Sequence, residues 1–254
     1  MSEQGSKAAQ FRALHIPGQP LVLFNVWDAG SAKAVAAGGA KAIATSSWSL
    51  AHAHGSADGE RLPLEVTIAT LQRIVAVTEL PVTVDLESGY GGTIDAVATT
   101  IRLAIAAGAV GCNIEDSVPA DGRLRDLTDQ IARIRAARDA GQALPFFINA
   151  RTDVFFQRPA GEHDAGMVAA ALERARGYAD AGAEGLFAPG LTDLRLMARL
   201  ANASPLPLNI MVAEGTPALQ TLAEHGIARV SHGPRPYLQV VKGLEEAARA
   251  AARR

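Results

Sequence analysis

Carboxylate side chains follow two short apolar runs of the sequence at a spacing that suits one shared site. Asp85 and Glu87 end the first run, and Glu115 ends the second. Because alternate residues of a strand point the same way, we expect the three carboxylates to converge. Clustered carboxylates repel one another unless a cation is present, and Mg2+ is the oxygen-binding cation that fits them best. Zinc is disfavoured, because no histidine adjoins these residues in the sequence.

Arg151 follows a third apolar run and is the strong cation predicted beside these carboxylates. Its guanidinium group matches a carboxylate or a phosphate, which predicts a role in binding an anionic substrate. Pairing with an acid such as Glu115 is a second role, compatible with the first. Three more acids stand just past predicted strands and are expected to cap helices: Asp28, Asp116 and Asp153.

A framework of alternating strands and helices must bring these residues together. Eight short apolar runs alternate with Ala-rich amphipathic stretches, which predicts a single (β/α)8 TIM barrel domain over residues 1–254, with its chemistry at the C-terminal strand ends. A doubly wound sheet is the alternative, disfavoured because no Gly-rich dinucleotide motif follows the first strand. The predicted strands are Leu21–Asn25, Ala42–Ser46, Val82–Asp85, Gly111–Glu115, Phe146–Ala150, Gly185–Ala188, Leu208–Met211 and Arg229–Ser231.

Apolar residues at i, i+3 and i+4 predict helices between these strands. Several of these stretches end in Ala-Gly-Ala, which is typical of a helix C-terminus before a strand. His52 and His54 are assigned to a solvated loop. The predicted helices are Ser6–His15, Leu64–Val77, Thr93–Ala107, Leu127–Ala140, Met167–Ala181, Thr192–Ala201 and a last one from Pro236 onward.

The composition indicates a folded protein in a reducing compartment. Of 254 residues 48% are hydrophobic, and 24 basic residues nearly balance 26 acidic ones. That balance offers no electrostatic footprint for nucleic acid or an acidic membrane, so neither is an expected partner. The single cysteine, Cys112, excludes an intramolecular disulfide and a multi-thiolate zinc site, and it is expected to be buried and inert. With no signal-peptide pattern and no apolar run of about 20 residues, a cytoplasmic location is expected.

Five segments, taken together, resemble the phosphoenolpyruvate mutase/isocitrate lyase superfamily. The most specific are Val84-Asp85-Leu86-Glu87-Ser88-Gly89-Tyr90-Gly91 and Asn113-Ile114-Glu115-Asp116. The others are residues 24–29, residues 45–47 followed by 58–60, and residues 148–153. The resemblance extends from Phe24 to the C-terminus and implies a Mg2+-dependent enzyme, with Mn2+ as a substitute ion. Such enzymes make or break a C–C or P–C bond beside a 2-oxo acid, through an enolate held on the metal.

The resemblance also implies roles for individual residues. Asp85 is expected to ligate Mg2+ directly. Ser46 and the backbone amide of Ser47 are expected to hold the carboxylate of a small-molecule substrate, and Arg151 a carboxylate or the enolate side. Three carboxylates are expected to act mostly through bound water: Asp58, Glu87 and Glu115.

Two departures from the superfamily pattern bear on the activity. Glu87 stands where members generally have Asp, which is expected to move a water-mediated contact. The loop at residues 117–125 lacks the Lys-x-Cys-Gly-His motif of isocitrate and methylisocitrate lyases, whose thiol resembles the acid that protonates the leaving group. Arg123 or Arg125 is expected to supply charge when this loop closes, and an exposed basic pair is the equal alternative.

The sequence therefore predicts a carbon–carbon lyase acting on small 2-oxo or 2-hydroxy di- or tricarboxylic acids. Oxaloacetate decarboxylation is the first candidate, because its leaving group needs no proton donor, and methylisocitrate-type cleavage is the second. P–C chemistry on phosphonopyruvate-type substrates and a non-catalytic 2-oxo acid binding barrel are the alternatives. A homo-oligomer, tetramer or dimer, is expected, because the resemblance implies exchange of C-terminal helices.

Overall fold

A computed structural model describes residues 2–253, and a sheet of eight parallel strands forms its centre. Each strand pairs with its neighbours in the order β1-β8-β7-β6-β5-β4-β3-β2. The strands are β1 Leu21–Leu23, β2 Ile43–Ala44, β3 Val82–Asp85, β4 Gly111–Glu115, β5 Phe147–Arg151, β6 Gly185–Phe187, β7 Leu208–Met211 and β8 Arg229–Ser231.

The gap between β1 and β2 is closed just beyond the ends of these strands. Val26 and Thr45 form a parallel bridge. The Val26 N–H donates to the Ala44 carbonyl at 2.8 Å, and the Ser46 N–H donates to the Val26 carbonyl at 3.1 Å. The prediction of a (β/α)8 barrel is therefore confirmed.

Helices cover the outside of the barrel between successive strands. None of the helices in residues 2–253 combines the length and the apolar character that crossing a membrane requires. The helices are α1 Glu3–Ala13, α2 Ala29–Ala37, α3 Ser47–Ala53, α4 Leu64–Val75, α5 Ile94–Ala106, α6 Leu127–Ala140, α7 Ala165–Asp180, α8 Leu194–Ala203, α9 Leu219–Glu224 and α10 Arg235–Ala251.

Helix α5 illustrates how the sequence specifies the ends and the buried face of these helices. The Thr93 hydroxyl caps its N-terminus by accepting the Ala96 N–H at 3.2 Å. Gly108, just past its C-terminus, has φ +98°, and a Cβ there would lie 2.7 Å from Val75 Cγ1. Only glycine suits both the backbone and the close approach of α4. The buried face of α5 consists of Val97, Thr100, Ile101 and Ala104.

Helix α1 closes the N-terminal end of the barrel. Phe11 is fully buried and packs edge-on against Phe147 of β5, with ring centroids 5.5 Å apart. Gly111 of β4 leaves room for this pair, because a Cβ there would lie 3.3 Å from the Phe11 ring and 2.7 Å from the Phe147 carbonyl oxygen. The open end is therefore the C-terminal one, where the predicted site lies.

The assignment of His52 to a loop is wrong, because it lies in α3, where its ring stacks on that of Trp48 with centroids 3.5 Å apart. His54 is the C-cap of α3 and lies in the turn that follows, and both histidines are exposed to solvent as predicted. The helix α3 begins at Ser47 because Ser46 caps it, accepting the Ser49 N–H at 3.3 Å. By contrast, Asp28 caps α2 as predicted, accepting the Ser31 N–H at 2.7 Å.

Candidate active site

A cavity of about 240 Å³ opens at the C-terminal ends of the strands. The predicted site residues that line it are Ser46, Ser47, Asp58, Asp85 and Arg151. Further polar lining comes from Asn25, Asn113 and Ser231. The apolar lining consists of Trp48, Phe156, Phe187, Met211, Gly233 and Pro234. The other predicted residues, Glu87, Glu115 and Arg123, do not line the cavity.

Asp85 ends β3 and is held by the start of α3. Its Oδ2 accepts the Ser47 N–H at 3.2 Å and the Ser47 hydroxyl at 2.9 Å. The Ser47 N–H is available because the first amides of a helix have no partner within the helix. The Asn113 Nδ2 lies 3.5 Å from the other oxygen, Oδ1. The amide predicted to bind substrate thus holds Asp85 in this structure.

Glu87 lies in a strained loop that follows β3. Its carboxylate accepts the Glu60 N–H and, at 3.2 Å, the Tyr90 hydroxyl. Glu60 in turn accepts the Tyr90 N–H at 2.9 Å and the Ser88 hydroxyl at 2.6 Å. Glu60, Glu87 and Tyr90 have φ of 59°, 51° and 53°, and among residues 2–253 no other non-glycine residue has positive φ. Such strain persists where surrounding contacts enforce it, often at functional sites.

Three carboxylates of the site have raised pKa values, and burial is the largest cause for each. For Glu115, burial outweighs the opposing charge of Arg151. Burial, followed by the charge of Asp58, raises the pKa of Glu87 to about 7. Burial and the charge of Asp85 raise the pKa of Asp58, while Arg151 opposes that rise. The mutual repulsion expected from the sequence is therefore present, and a cation placed among these groups would relieve it.

Arg151 ends β5 between two carboxylates. Its Nη1 lies 2.6 Å from Glu115 Oε2, and its Nε lies 2.6 Å from Asp153 Oδ1. The Nη2 donates to the second oxygen of Asp153 at 3.1 Å, so this pair is bidentate. Burial opposes the charge, but Glu115 and then Asp153 outweigh it and raise the pKa of Arg151. The predicted pair with Glu115 is present, and Arg151 is charged at every relevant pH.

The prediction that Asp116 and Asp153 cap helices is wrong. Asp116 is fully buried and accepts the Asp153 N–H at 2.8 Å, the Tyr178 hydroxyl at 2.7 Å and an Arg174 N–H at 3.1 Å. Asp153 binds Arg151 instead of a helix end. Asp116 turns toward Arg174 of α7, and Asp153 turns toward Arg151, two residues before it. Asp126 caps α6 in their place.

The loop after β4 is a small hairpin that holds Arg123 away from the cavity. Ser117 and Leu124 form an antiparallel bridge. The Arg123 side chain is 73% exposed, and its Nε lies 2.6 Å from Asp121 Oδ2. Arg125 pairs with Asp129 at 3.2 Å. Neither arginine lines the cavity, so a role on loop closure stays a prediction.

The donor set fits a hydrated Mg2+ better than a fully protein-ligated ion. Within residues 2–253, no three side chains of His, Cys, Asp or Glu are arranged to bind one ion together. Asp58 and Asp85 both line the cavity, and Glu87 interacts with both through their charges. Mg2+ usually keeps several waters and takes one or two carboxylates directly. The arrangement therefore suits an ion held by one or two of these residues, with the rest reached through water.

A comparison with known families identifies the chain. The family model for phosphoenolpyruvate phosphomutase matches residues 11–252. The chain belongs to the phosphoenolpyruvate phosphomutase family. The predicted superfamily is therefore confirmed, and so is the prediction of an enzyme of the isocitrate lyase/phosphoenolpyruvate mutase type.

Relatives within this phosphomutase family and its superfamily differ in their activities. The chain is 31% identical to 2-methylisocitrate lyase of Escherichia coli K12 over 252 residues, covering 96% of this chain and 82% of that one. It is 31% identical to oxaloacetate decarboxylase of Pseudomonas savastanoi over 186 residues, covering 70% and 61%. A crystal structure from Burkholderia cenocepacia J2315, provisionally assigned as a phosphonomutase, is 54% identical with a TM-score of 0.96, covering 98% and 99%.

Proposed function

We propose that this protein is a Mg2+-dependent lyase that cleaves a C–C bond of a small 2-oxo acid, and that oxaloacetate is its substrate. The observation that carries this proposal is the lining of the cavity, which combines the acids Asp58 and Asp85 with one cation and several apolar side chains. Among the described lining residues, Arg151 is the single cation.

The charge of the cavity favours a substrate with few carboxylates. Isocitrate and methylisocitrate each have three, and their leaving fragments carry two. Arg151 already pairs with Glu115 and Asp153, so it has little capacity for further anions. A cavity of about 240 Å³ also suits a compact substrate. Oxaloacetate meets both conditions, since one of its two carboxylates is retained and the other leaves as uncharged CO2.

The aromatic rings in the lining would favour the departure of CO2. Phe156 and Phe187 flank Arg151, with their ring centroids 5.6 Å and 5.9 Å from its guanidinium carbon. A carboxylate facing these rings is poorly solvated, whereas CO2 is not penalised there. The two rings therefore favour CO2 over the carboxylate from which it forms.

The remaining residues would bind and orient the substrate. Asp85 and Asp58 would hold Mg2+, with Glu87 and Glu115 acting through water. When bound, the ion supplies a Lewis acid at the 2-oxo oxygen. Ser46 and the Ser47 amide would orient the retained carboxylate. The C3–C4 bond breaks, its electron pair stays on the pyruvate fragment, and C3 then takes a proton from water, since the described lining contains no Lys, Cys or His.

A substrate panel tests the proposal. Pyruvate release would be followed with oxaloacetate and 2-methylisocitrate, and glyoxylate release with isocitrate. Each substrate would be tested with Mg2+ and with EDTA, against a protein-free control containing the metal. We expect EDTA-sensitive turnover with oxaloacetate above that control. Turnover of 2-methylisocitrate alone would contradict the substrate assignment. Phosphate released from phosphonopyruvate, detected by 31P NMR, would favour P–C chemistry, and binding of 2-oxo acids without any product would favour the binding role.

We also propose that the protein forms a homo-oligomer by exchanging α10. Its exposed apolar side chains include Leu238, Val241 and Leu244, which recur every three residues, and Leu244 is 68% exposed. A groove of about 670 Å³ lies against β1 and α2, lined by Val22, Phe24 and Val35 among others. A helix that follows β8 ordinarily packs beside β1. The α10 of a second copy is therefore the occupant that fits this groove.

Light scattering after gel filtration tests this exchange. We expect a tetramer or a dimer for the wild type and a smaller species for Leu244→Glu. The matched control is Lys242→Glu, which adds the same side chain on the same helix outside the apolar row. A monomeric wild type, or an unchanged Leu244→Glu variant, would contradict the proposal.

A further inference from the structure

Arg229 is a buried cation that the proposed chemistry does not use. It is the first residue of β8 and is 1% exposed. Its guanidinium forms no ion pair with any described residue. Burial lowers its pKa to about 9, so the side chain is still charged at neutral pH. An unpaired charge inside a barrel is strongly unfavourable for folding, so its presence calls for a functional explanation.

The contacts of Arg229 lead toward the active site. Its Nη2 donates to Asn113 Oδ1 at 3.2 Å, while its Nε and Nη1 have no partner within the described residues. The Asn149 Nδ2 donates to the same Asn113 oxygen at 2.9 Å. On the other side of that amide, Asn113 Nδ2 lies 3.5 Å from Asp85 Oδ1. Arg229 and Asp85 therefore face opposite ends of one amide group.

The chemistry of the guanidinium group fixes which way this amide points. Arginine has only hydrogen-bond donors, so the Asn113 oxygen must face Arg229. The Asn113 NH2 group must then face Asp85, where it can donate to the carboxylate. An apolar residue at position 229 would remove one of the two donors to this oxygen and leave the Asn149 Nδ2 as the other. The amide would then be held less firmly, and a flip would turn its oxygen toward Asp85, where it would repel the carboxylate.

We propose that Arg229 is a positioning residue that sets the orientation of Asn113 and thereby holds the Asp85 carboxylate in place to bind Mg2+. The inference rests on the proposed function, since it assigns the metal to Asp85. Arg229 acts from within the barrel and touches neither substrate nor metal. Outer groups that orient a metal ligand commonly change metal affinity by about 10–100-fold when they are removed.

Three variants separate this role from a structural one. Arg229→Met removes the donors, Arg229→Lys keeps a donor-only cation, and Arg229→Gln offers an amide that can present either group. The readout is the Mg2+ dissociation constant by isothermal titration calorimetry, with the thermal midpoint measured without metal. The control is Arg138→Met, which removes an arginine that binds the Gly182 and Phe146 carbonyls far from the cavity.

We expect Arg229→Met to bind Mg2+ about tenfold or more weakly. Its thermal midpoint should be unchanged or higher, because an unpaired buried charge is gone. Arg229→Lys should recover most of the affinity, and Arg229→Gln should not. Arg138→Met should lower the thermal midpoint and keep the wild-type affinity. If Arg229→Met does not fold, the difference between the Lys and Gln variants decides.

Two results would overturn the inference. A folded Arg229→Met variant with wild-type Mg2+ affinity would overturn it alone and leave the proposed function standing, as would equal affinities of the Lys and Gln variants. A wild-type protein that binds no Mg2+ would instead overturn the proposed function together with this inference.

Discussion

The ion pairs of Arg151 give the most informative perturbation of the site. Its side chain is 19% exposed, and those of its partners Glu115 and Asp153 are 13% and 3% exposed. Arg151→Met keeps much of the volume but leaves two buried carboxylates without a cation. Breaking a buried pair in this way costs about 3–5 kcal/mol. In a protein of this size that loss lowers the thermal midpoint by roughly 6–20 °C.

The same perturbation has a defined dependence on pH. Burial already raises the pKa of Glu115 well above its ordinary value, and the charge of Arg151 opposes this rise, so the loss of that charge should raise the pKa further. Groups shifted in that direction contribute stability below the unfolded pKa and lose that contribution as the pH rises. The loss of unfolding free energy in Arg151→Met, relative to the wild type, should therefore be large at neutral pH and smaller near pH 5.

Urea unfolding followed by circular dichroism measures both effects. A triple variant, Arg151→Met with Glu115→Gln and Asp153→Asn, removes the charges together and should recover most of the lost stability at neutral pH. It should not recover activity, because the substrate cation is still absent. A loss below about 1 kcal/mol for Arg151→Met, or a triple variant no more stable than the single one, would refute the reasoning.

Three further predictions follow from individual contacts. Because the pKa of Glu87 is raised to about 7, the metal-free protein should lose stability as the pH rises from about 4.5 to 7, and urea titrations of Glu87→Gln should show a flatter dependence. Phe187→Ala should lower oxaloacetate turnover by admitting water to the cavity beside Arg151, and a pyruvate assay that compares it with the wild type measures this. It should also cost about 3–5 kcal/mol of stability. Gly108→Ala should lower the thermal midpoint, because a Cβ there would lie 2.7 Å from Val75; an unchanged midpoint would contradict that account.

Much of the barrel could be predicted from local sequence. The bounds of β3, β4, β7 and β8 agree with the prediction, because each is a buried apolar run between turn residues. The strand β5 begins at Phe147 instead of Phe146 and includes Arg151. The short helix α3 was not predicted, since it has seven residues, and its start depends on capping by Ser46.

The contacts within the site were less accessible to prediction. Asp85 and Arg151 were expected at the cavity because strand ends converge in a barrel, and Asp58 was expected there from the family resemblance alone; all three line it. Asp116 was misassigned because its partner Tyr178 lies 62 residues away along the chain. Arg229 could not be singled out from the sequence, because it begins its strand, whereas the site of a barrel is formed by residues that end strands.

Oxaloacetate turnover by Asp85→Asn tests the central claim most directly. Its control is Asp95→Asn, the same change at an acid in the first turn of α5. We predict EDTA-sensitive pyruvate release by the wild type and by Asp95→Asn, and a rate no higher than the metal-only background for folded Asp85→Asn. Wild-type turnover by Asp85→Asn, or no turnover by the folded, Mg2+-loaded wild type, would contradict the account.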